Sequence, residues 1–196
     1  MVGIIAGGVG AQNRGERYAP GATSITVPTN ATSATFVMQA AGGSSKGRAG
    51  VDGSAGGGGG YAVITRSVLS GEWGTNLTIA VGAGSAGNNG GNTTLSGTLN
   101  GSSVSVTCNG GTKGTTVVDG SGGTASGGGT NITGESGSGY IAGPPGEEAP
   151  GTPGRGGCFD QSTGWAYDFI GVGCGGIASS ADEPGFDGFL EVYWSF

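Results

Sequence analysis

The chain contains no histidine. That removes imidazole acid–base catalysis and the commonest zinc ligand. Charge is scarce as well: charged residues make up 10% of the 196, and the net charge is −6. The seven basic residues, Arg14, Arg17, Lys46, Arg48, Arg66, Lys113 and Arg155, are scattered and form no stripe. An acidic chain without a basic stripe is a poor match to nucleic acid, whose recognition rests on phosphate neutralisation. No segment reaches the ~18 successive apolar residues of a membrane-spanning helix, so no membrane insertion is expected. The opening residues are mildly apolar but lack a basic n-region, which argues against a secretory signal. No helical periodicity of normal length occurs anywhere.

Cysteine is sparse and odd in number: Cys108, Cys158 and Cys174. Their spacing fits no metal site. Free thiols in a protein assembled in a reducing cytoplasm satisfy the pattern, and so does a single Cys158–Cys174 disulfide.

What the chain has in abundance is glycine, 50 residues of it. Average usage is about 7%. Such enrichment usually signals collagen, low complexity or disorder. Disorder also requires few apolar residues and high net charge, whereas 34% of this chain is hydrophobic and those residues cluster in short runs. An ordered β protein with long glycine-rich connections follows. Each ordered glycine costs about 0.5–1 kcal/mol more than alanine. The glycine segments must therefore gain close backbone packing, interchain hydrogen bonds or a partner surface.

Residues 1–22 read as an irregular leader, either an attachment arm or a frayed end. Val2, Ile4 and Ile5 are its candidate assembly contacts. Residues 23–196 read as one glycine-rich domain. Thr23–Pro28 alternates, with Ile25 and Val27 on one face, and Ala34–Ala40 follows after a short turn; the pair predicts an antiparallel hairpin. Further strands are expected at Tyr61–Leu69, Asn76–Val81, Asn92–Leu95 and Ser103–Cys108. The last spans Gly188–Phe196, where Leu190, Val192, Trp194 and Phe196 share a face and the sheet closes. Between these strands glycine recurs every third residue: Gly47, Gly50, Gly53, Gly56 and Gly59, then Gly84, Gly87 and Gly90. Three residues per turn is the repeat of an extended left-handed helix, and a flexible loop satisfies the same spacing. Gly143-Pro144-Pro145-Gly146 begins a collagen-like repeat, but Ala149 breaks it. The predicted architecture is all-β: an antiparallel β-sandwich with long glycine-rich loops, including short polyglycine-II-like segments.

The ordered motifs carry a resemblance. Ser24-Ile25-Thr26-Val27-Pro28 leads to a second strand entering Gly42-Gly43, and a glycine run then ends at Gly59-Gly60-Tyr61-Ala62. Leu77–Gly84, Gly90–Leu95, Val106–Gly111 and Gly185–Trp194 follow in order. This arrangement resembles the glycine-rich domain of bacteriophage tail fibres and tail tips, over nearly the whole of residues 23–196. The resemblance implies a virion protein, assembled in the host cytoplasm, that acts in host attachment. Its implied partners are other tail or capsid proteins and a host surface glycan or outer-membrane protein. Some similar adhesins pack polyglycine II helices beside variable receptor-binding loops. The triplet runs here are shorter and interrupted.

Three functions compete. For an adhesin, the candidate receptor contacts are Tyr140, Phe159, Trp165, Tyr167 and Phe169, since aromatics stack on sugars or anchor interfaces; the same residues would also serve as core or as a subunit interface. A capsid head fibre or decoration protein is the structural alternative. An enzyme would need paired carboxylates. Asp160 with Asp168 and Glu147 with Glu148 are available, but no motif supplies their context. The chain is accordingly read as non-enzymatic, with no cofactor or metal and with a homotrimer as the expected assembly.

Overall fold

A computed structural model describes residues 3–5, 14–47, 54–137 and 182–196. Eleven strands form two antiparallel sheets among these residues. The first is ordered β1 (Gly3–Ile5), β2 (Arg14–Tyr18), β11 (Phe189–Ser195), β4 (Ser33–Gln39), β5 (Tyr61–Ser67), β10 (Thr130–Ile132). The second is ordered β3 (Ser24–Thr26), β6 (Asn76–Ala80), β7 (Thr93–Leu99), β8 (Ser102–Cys108), β9 (Ala125–Ser126). The expected all-β sandwich is the observed architecture. No helix among the described residues is long and apolar enough to cross a membrane.

Period-two alternation builds the core between the sheets. Phe36, Met38, Ile64, Leu190, Val192 and Trp194 come from the first sheet. They meet Ile25, Leu77, Ile79, Leu95, Val104 and Val106 from the second. Phe36 and Trp194 pack edge to face at 6.0 Å, a favoured aromatic geometry. On the opposite face of the first sheet Val37, Tyr61 and Phe189 form a smaller cluster. Phe196 breaks the alternation expected of it: it lies beyond the end of β11 and is exposed.

Two local expectations are corrected. β3 and β4 do not form a hairpin, because they belong to different sheets. Both edges of β4 are taken over seven residues, by β5 and by β11, so β3 pairs with β6 instead. The chain crosses between sheets at Pro28–Ala31, with Val27 N–H donating to the Thr75 carbonyl on one side and Thr32 N–H to Ser195 on the other. The leader is also not irregular throughout. β2 pairs with β11 along five residues, and β1 adds beyond it, with Ile4 and Ile5 in register with Glu16 and Gly15. Val2 lies outside the described residues.

The strand expected at Asn92–Leu95 runs longer, as β7, and turns into β8 through Asn100-Gly101. Both turn residues have positive φ, 54° and 66°, the Asn-Gly signature of a two-residue hairpin. Glu72, in a 3₁₀ turn at Ser70–Glu72, clamps this hairpin. Its carboxylate accepts the N–H groups of Leu69, Asn100 and Gly101 at 2.9–3.0 Å. Slight desolvation raises the Glu72 pKa, but the three backbone donors outweigh it and hold the carboxyl below its ordinary value. A depressed carboxyl stabilises the fold above the unfolded pKa, and that contribution is lost as pH falls through the folded value. Glu72→Gln is expected to lose about 1 kcal/mol at pH 7, discounted for solvent exposure. The deficit should shrink below about pH 4. Urea unfolding at pH 7 and pH 3 checks this; an equal deficit at both would contradict it.

Cys108 ends β8 in the core, and its thiol is 3.7 Å from the Met38 carbonyl. Burial pushes its pKa up to about 12. At pH 8 the native Cys108 peptide is therefore expected to resist iodoacetamide and to label only on unfolding, as peptide mass spectrometry would show.

Candidate functional site: a glycine lattice and its distal loops

Strands β4, β6, β8 and β10 all run out of the sandwich at one end, and β5, β7, β9 and β11 return there. Eight extended segments continue past that end: 40–46, 54–60, 82–84, 88–91, 109–114, 120–124, 134–137 and 182–188. They are joined by backbone hydrogen bonds into a lattice.

Segment 40–46 shows its geometry. Ala41 and Ser44 donate to Gly91 and Asn88, while Gly42 and Ser45 donate to Phe186 and Glu183. Ala40, Gly43 and Lys46 donate to Gly60, Gly57 and Ser54, and all seven bonds are 2.9–3.1 Å. Successive N–H groups thus point to three different neighbours and return to the first after three residues. A β-strand would repeat after two; a threefold extended helix repeats after three. A fourth neighbour runs parallel, since Gly111 and Gly114 donate to the carbonyls of Ala41 and Ser44. Of the two readings of the glycine spacing, the described segments follow the extended helix, while Gly50 and Gly53 lie outside the described residues.

Glycine is required here by close approach. A Cβ on Gly43 would overlap the Thr112 carbonyl, one on Gly111 the Gly57 carbonyl, and one on Gly122 the Gly134 carbonyl. Polar side chains lock the lattice to the sandwich. Gln39 Nε2 donates to the Gly59 and Gly60 carbonyls at 2.9 and 3.1 Å. Thr93 Oγ1 donates to the Gln39 carbonyl at 2.8 Å and accepts Gly82 N–H at 3.0 Å. Both residues are buried.

The far end of the lattice carries the loops. Segments 82–84 and 88–91 are joined by 85–87, and segments 109–114 and 120–124 by 115–119. Lys46 and Asp182 form an ion pair at 2.8 Å there, and Gly47 N–H donates to the same carboxylate at 2.8 Å. The Lys46 hydrogen bond, then the Gly47 one, holds the Asp182 carboxyl below its usual range. Lys113 Nζ donates to the Gly87 carbonyl at 3.1 Å, and its N–H to Asn89 Oδ1 at 2.9 Å. In the loop 115–119, Val117 and Val118 are exposed.

The aromatic candidates Tyr140, Phe159, Trp165, Tyr167 and Phe169 lie outside the described residues, as do Cys158 and Cys174. The described residues flanking them, Gly137 and Asp182, are both at the loop-bearing end: Gly137 donates to Gly120, and Asp182 holds Lys46. Among the described residues no group of three His, Cys, Asp or Glu side chains could hold a metal ion. Sequence reasoning missed the loop 115–119 and the lattice segments of the second half. The signal was present: Gly111 and Gly114, Gly120 and Gly123, Gly134 and Gly137, and Gly185 and Gly188 keep the same spacing of three.

No protein-family model matches the chain, and comparison with curated proteins gives no match.

Proposed function

We propose that this chain is a structural, non-enzymatic virion protein of a tailed bacteriophage, a tail-fibre or tail-tip component acting in host attachment. One observation carries the reading: a hydrogen-bonded glycine lattice holds a set of loops at the end farthest from the sandwich. Loops on a rigid scaffold are the usual seat of recognition. The order of motifs shared with tail-fibre glycine-rich domains supports the same reading. In this account the loops meet a host surface glycan or outer-membrane protein, and the sandwich end meets other virion proteins. The segment bearing Val2, Ile4 and Ile5 contributes to that attachment, and the protein assembles in the host cytoplasm as a homotrimer.

Immunogold labelling of intact particles with antibody raised to the full chain tests this. Gold at fibre or tail tips is the expected result. Gold over the capsid would replace it with a head-fibre or decoration role. Absence from disrupted particles would reject the virion assignment.

A further inference from the structure

β2 is bound to the sandwich without being built into its core. It pairs with β11 over five residues, and among its described side chains only Tyr18 packs against the core, from a partly buried position. Its side-chain hold on β11 centres on Arg17. The guanidinium lies 4.5 Å from the centroid of the Phe189 ring and 3.3 Å from Glu191 Oε1. Glu191 Oε2 accepts the Tyr193 hydroxyl at 2.8 Å. Phe189 is 2% exposed and Glu191 6%. Two residues before Arg17, Gly15 makes room for the Tyr193 ring, which a Cβ there would approach to 3.2 Å. Glu191, Phe189 and Tyr193 thus form a socket along the β11 edge for an extended strand carrying Gly-x-Arg. A carboxylate buried this far is costly without its cation, and an aromatic face is a favourable seat for a guanidinium.

The socket is filled by the chain's own residues 14–18, which fixes the chemistry of its ligand. Resting on the homotrimeric reading, we propose that in the assembled protein the ligand is the same strand of a second copy. Neighbouring subunits then exchange β2, and each completes the first sheet of the next. The hinge is the turn at Ala19-Pro20-Gly21-Ala22, which carries the chain from β2 in the first sheet to β3 in the second. Gly21 has φ of 98°, and Ala22 N–H donates to the Ala19 carbonyl at 3.2 Å. Opening it breaks that bond and displaces none of the fully buried core residues, all of which come from Ile25 onward. Docking in the same copy or in a neighbour makes identical contacts, so the closeness of copies decides between them. An unrelated strand would have to reproduce the Gly-x-Arg spacing, which a second copy supplies by identity.

The test transposes the two charges in full chains. Arg17→Glu in one chain and Glu191→Arg in another each place like charges in their own socket. Co-expressed under different tags, each carries the strand that fits the other, and a mixed ring matches strand to socket at most of its junctions. Light scattering gives the oligomeric state, purification through both tags shows mixing, and hydrogen exchange reads the protection of residues 14–18. The native chain is expected to be oligomeric. Each single variant should lose protection of residues 14–18 more than tenfold, and the co-expressed pair should regain it and purify together. Arg17→Glu/Glu191→Arg in one chain should keep it, showing that the reversed pair folds. Protection that the co-expressed pair fails to regain, with the native chain still oligomeric, would overturn the exchange and leave the oligomer standing. Full protection in the single variants, or its loss in the double variant, would show that Arg17 and Glu191 do not hold β2 and likewise overturn it. A monomeric native chain would remove the exchange together with the homotrimer.

Discussion

Replacing Gly43 by alanine is expected to destabilise the protein by at least about 3 kcal/mol, combining overpacking with disrupted backbone hydrogen bonds. Gly43 sits where four neighbours surround segment 40–46, and it donates to Gly57 at 2.9 Å. The added methyl group would fall on the Thr112 carbonyl. That carbonyl also accepts Gly57 N–H at 3.0 Å, so pushing it away breaks a second bond between segments. Backbone is the obstacle, and it cannot swing aside as a flexible side chain would. Gly71 is the control. It lies in the exposed 3₁₀ turn, and a Cβ there meets nothing within 4 Å. Gly71→Ala should be neutral or stabilise by up to about 1 kcal/mol, through the unfolded chain. Chemical denaturation of the two variants checks the contrast. Equal, small effects would mean that glycine in the segments serves chain flexibility and not packing.

Trp194→Ala is expected to lose about 3–5 kcal/mol, a large part of the ~5–15 kcal/mol of a typical domain. Trp194 is fully buried near the end of β11, against Phe36. β11 itself is interior, pairing with β2 on one side and β4 on the other, so damage there reaches the whole first sheet. Its indole N–H has no hydrogen-bond partner. Trp194→Phe keeps much of the apolar volume and removes that unpartnered donor, so its loss should be clearly smaller than that of the alanine variant. Thermal unfolding of both variants checks the order. Comparable losses would show that the indole itself, and not apolar filling, is what the site requires.

Much of the sandwich was legible because alternation is local. Leu77 and Ile79, Val104 and Val106, and Leu190, Val192 and Trp194 face the core as their spacing predicts. Strand partnership was not legible. Ile25 and Val27 alternate as well as Phe36 and Met38 do, but nothing in either run says that β4 will be flanked by β5 and by β11, which is 150 residues further along the chain at Phe189↔Gln39. β2 is nearly invisible for the same reason. Arg14-Gly15-Glu16-Arg17-Tyr18 has no apolar face, and its place depends on pairing with β11 and on contacts such as Arg17 with Glu191 at 3.3 Å. The three-residue glycine spacing was visible, but spacing alone permits both a loop and a helix. Which one forms depends on whether neighbouring segments supply acceptors, as Gly91, Phe186 and Gly57 do for Ala41, Gly42 and Gly43. The loop 115–119 was hidden by its composition: its two valines sit within a glycine-rich, low-complexity stretch, and only the Thr115 turn fixes their place between the segments 109–114 and 120–124.

The central claim, that the glycine segments are an ordered hydrogen-bonded lattice carrying the loops, is tested most directly by residue-resolved amide hydrogen exchange on the native protein. Stability differs locally within a fold, and exchange reports it. The lattice predicts that the amides of Ala41, Gly42, Gly43, Gly57 and Gly111 are protected to the same order as those of β4 and β8, with exposed loop amides exchanging far faster. Exchange of those glycine amides at unprotected rates, beside a protected sandwich, would contradict it and leave the glycine segments as flexible connections.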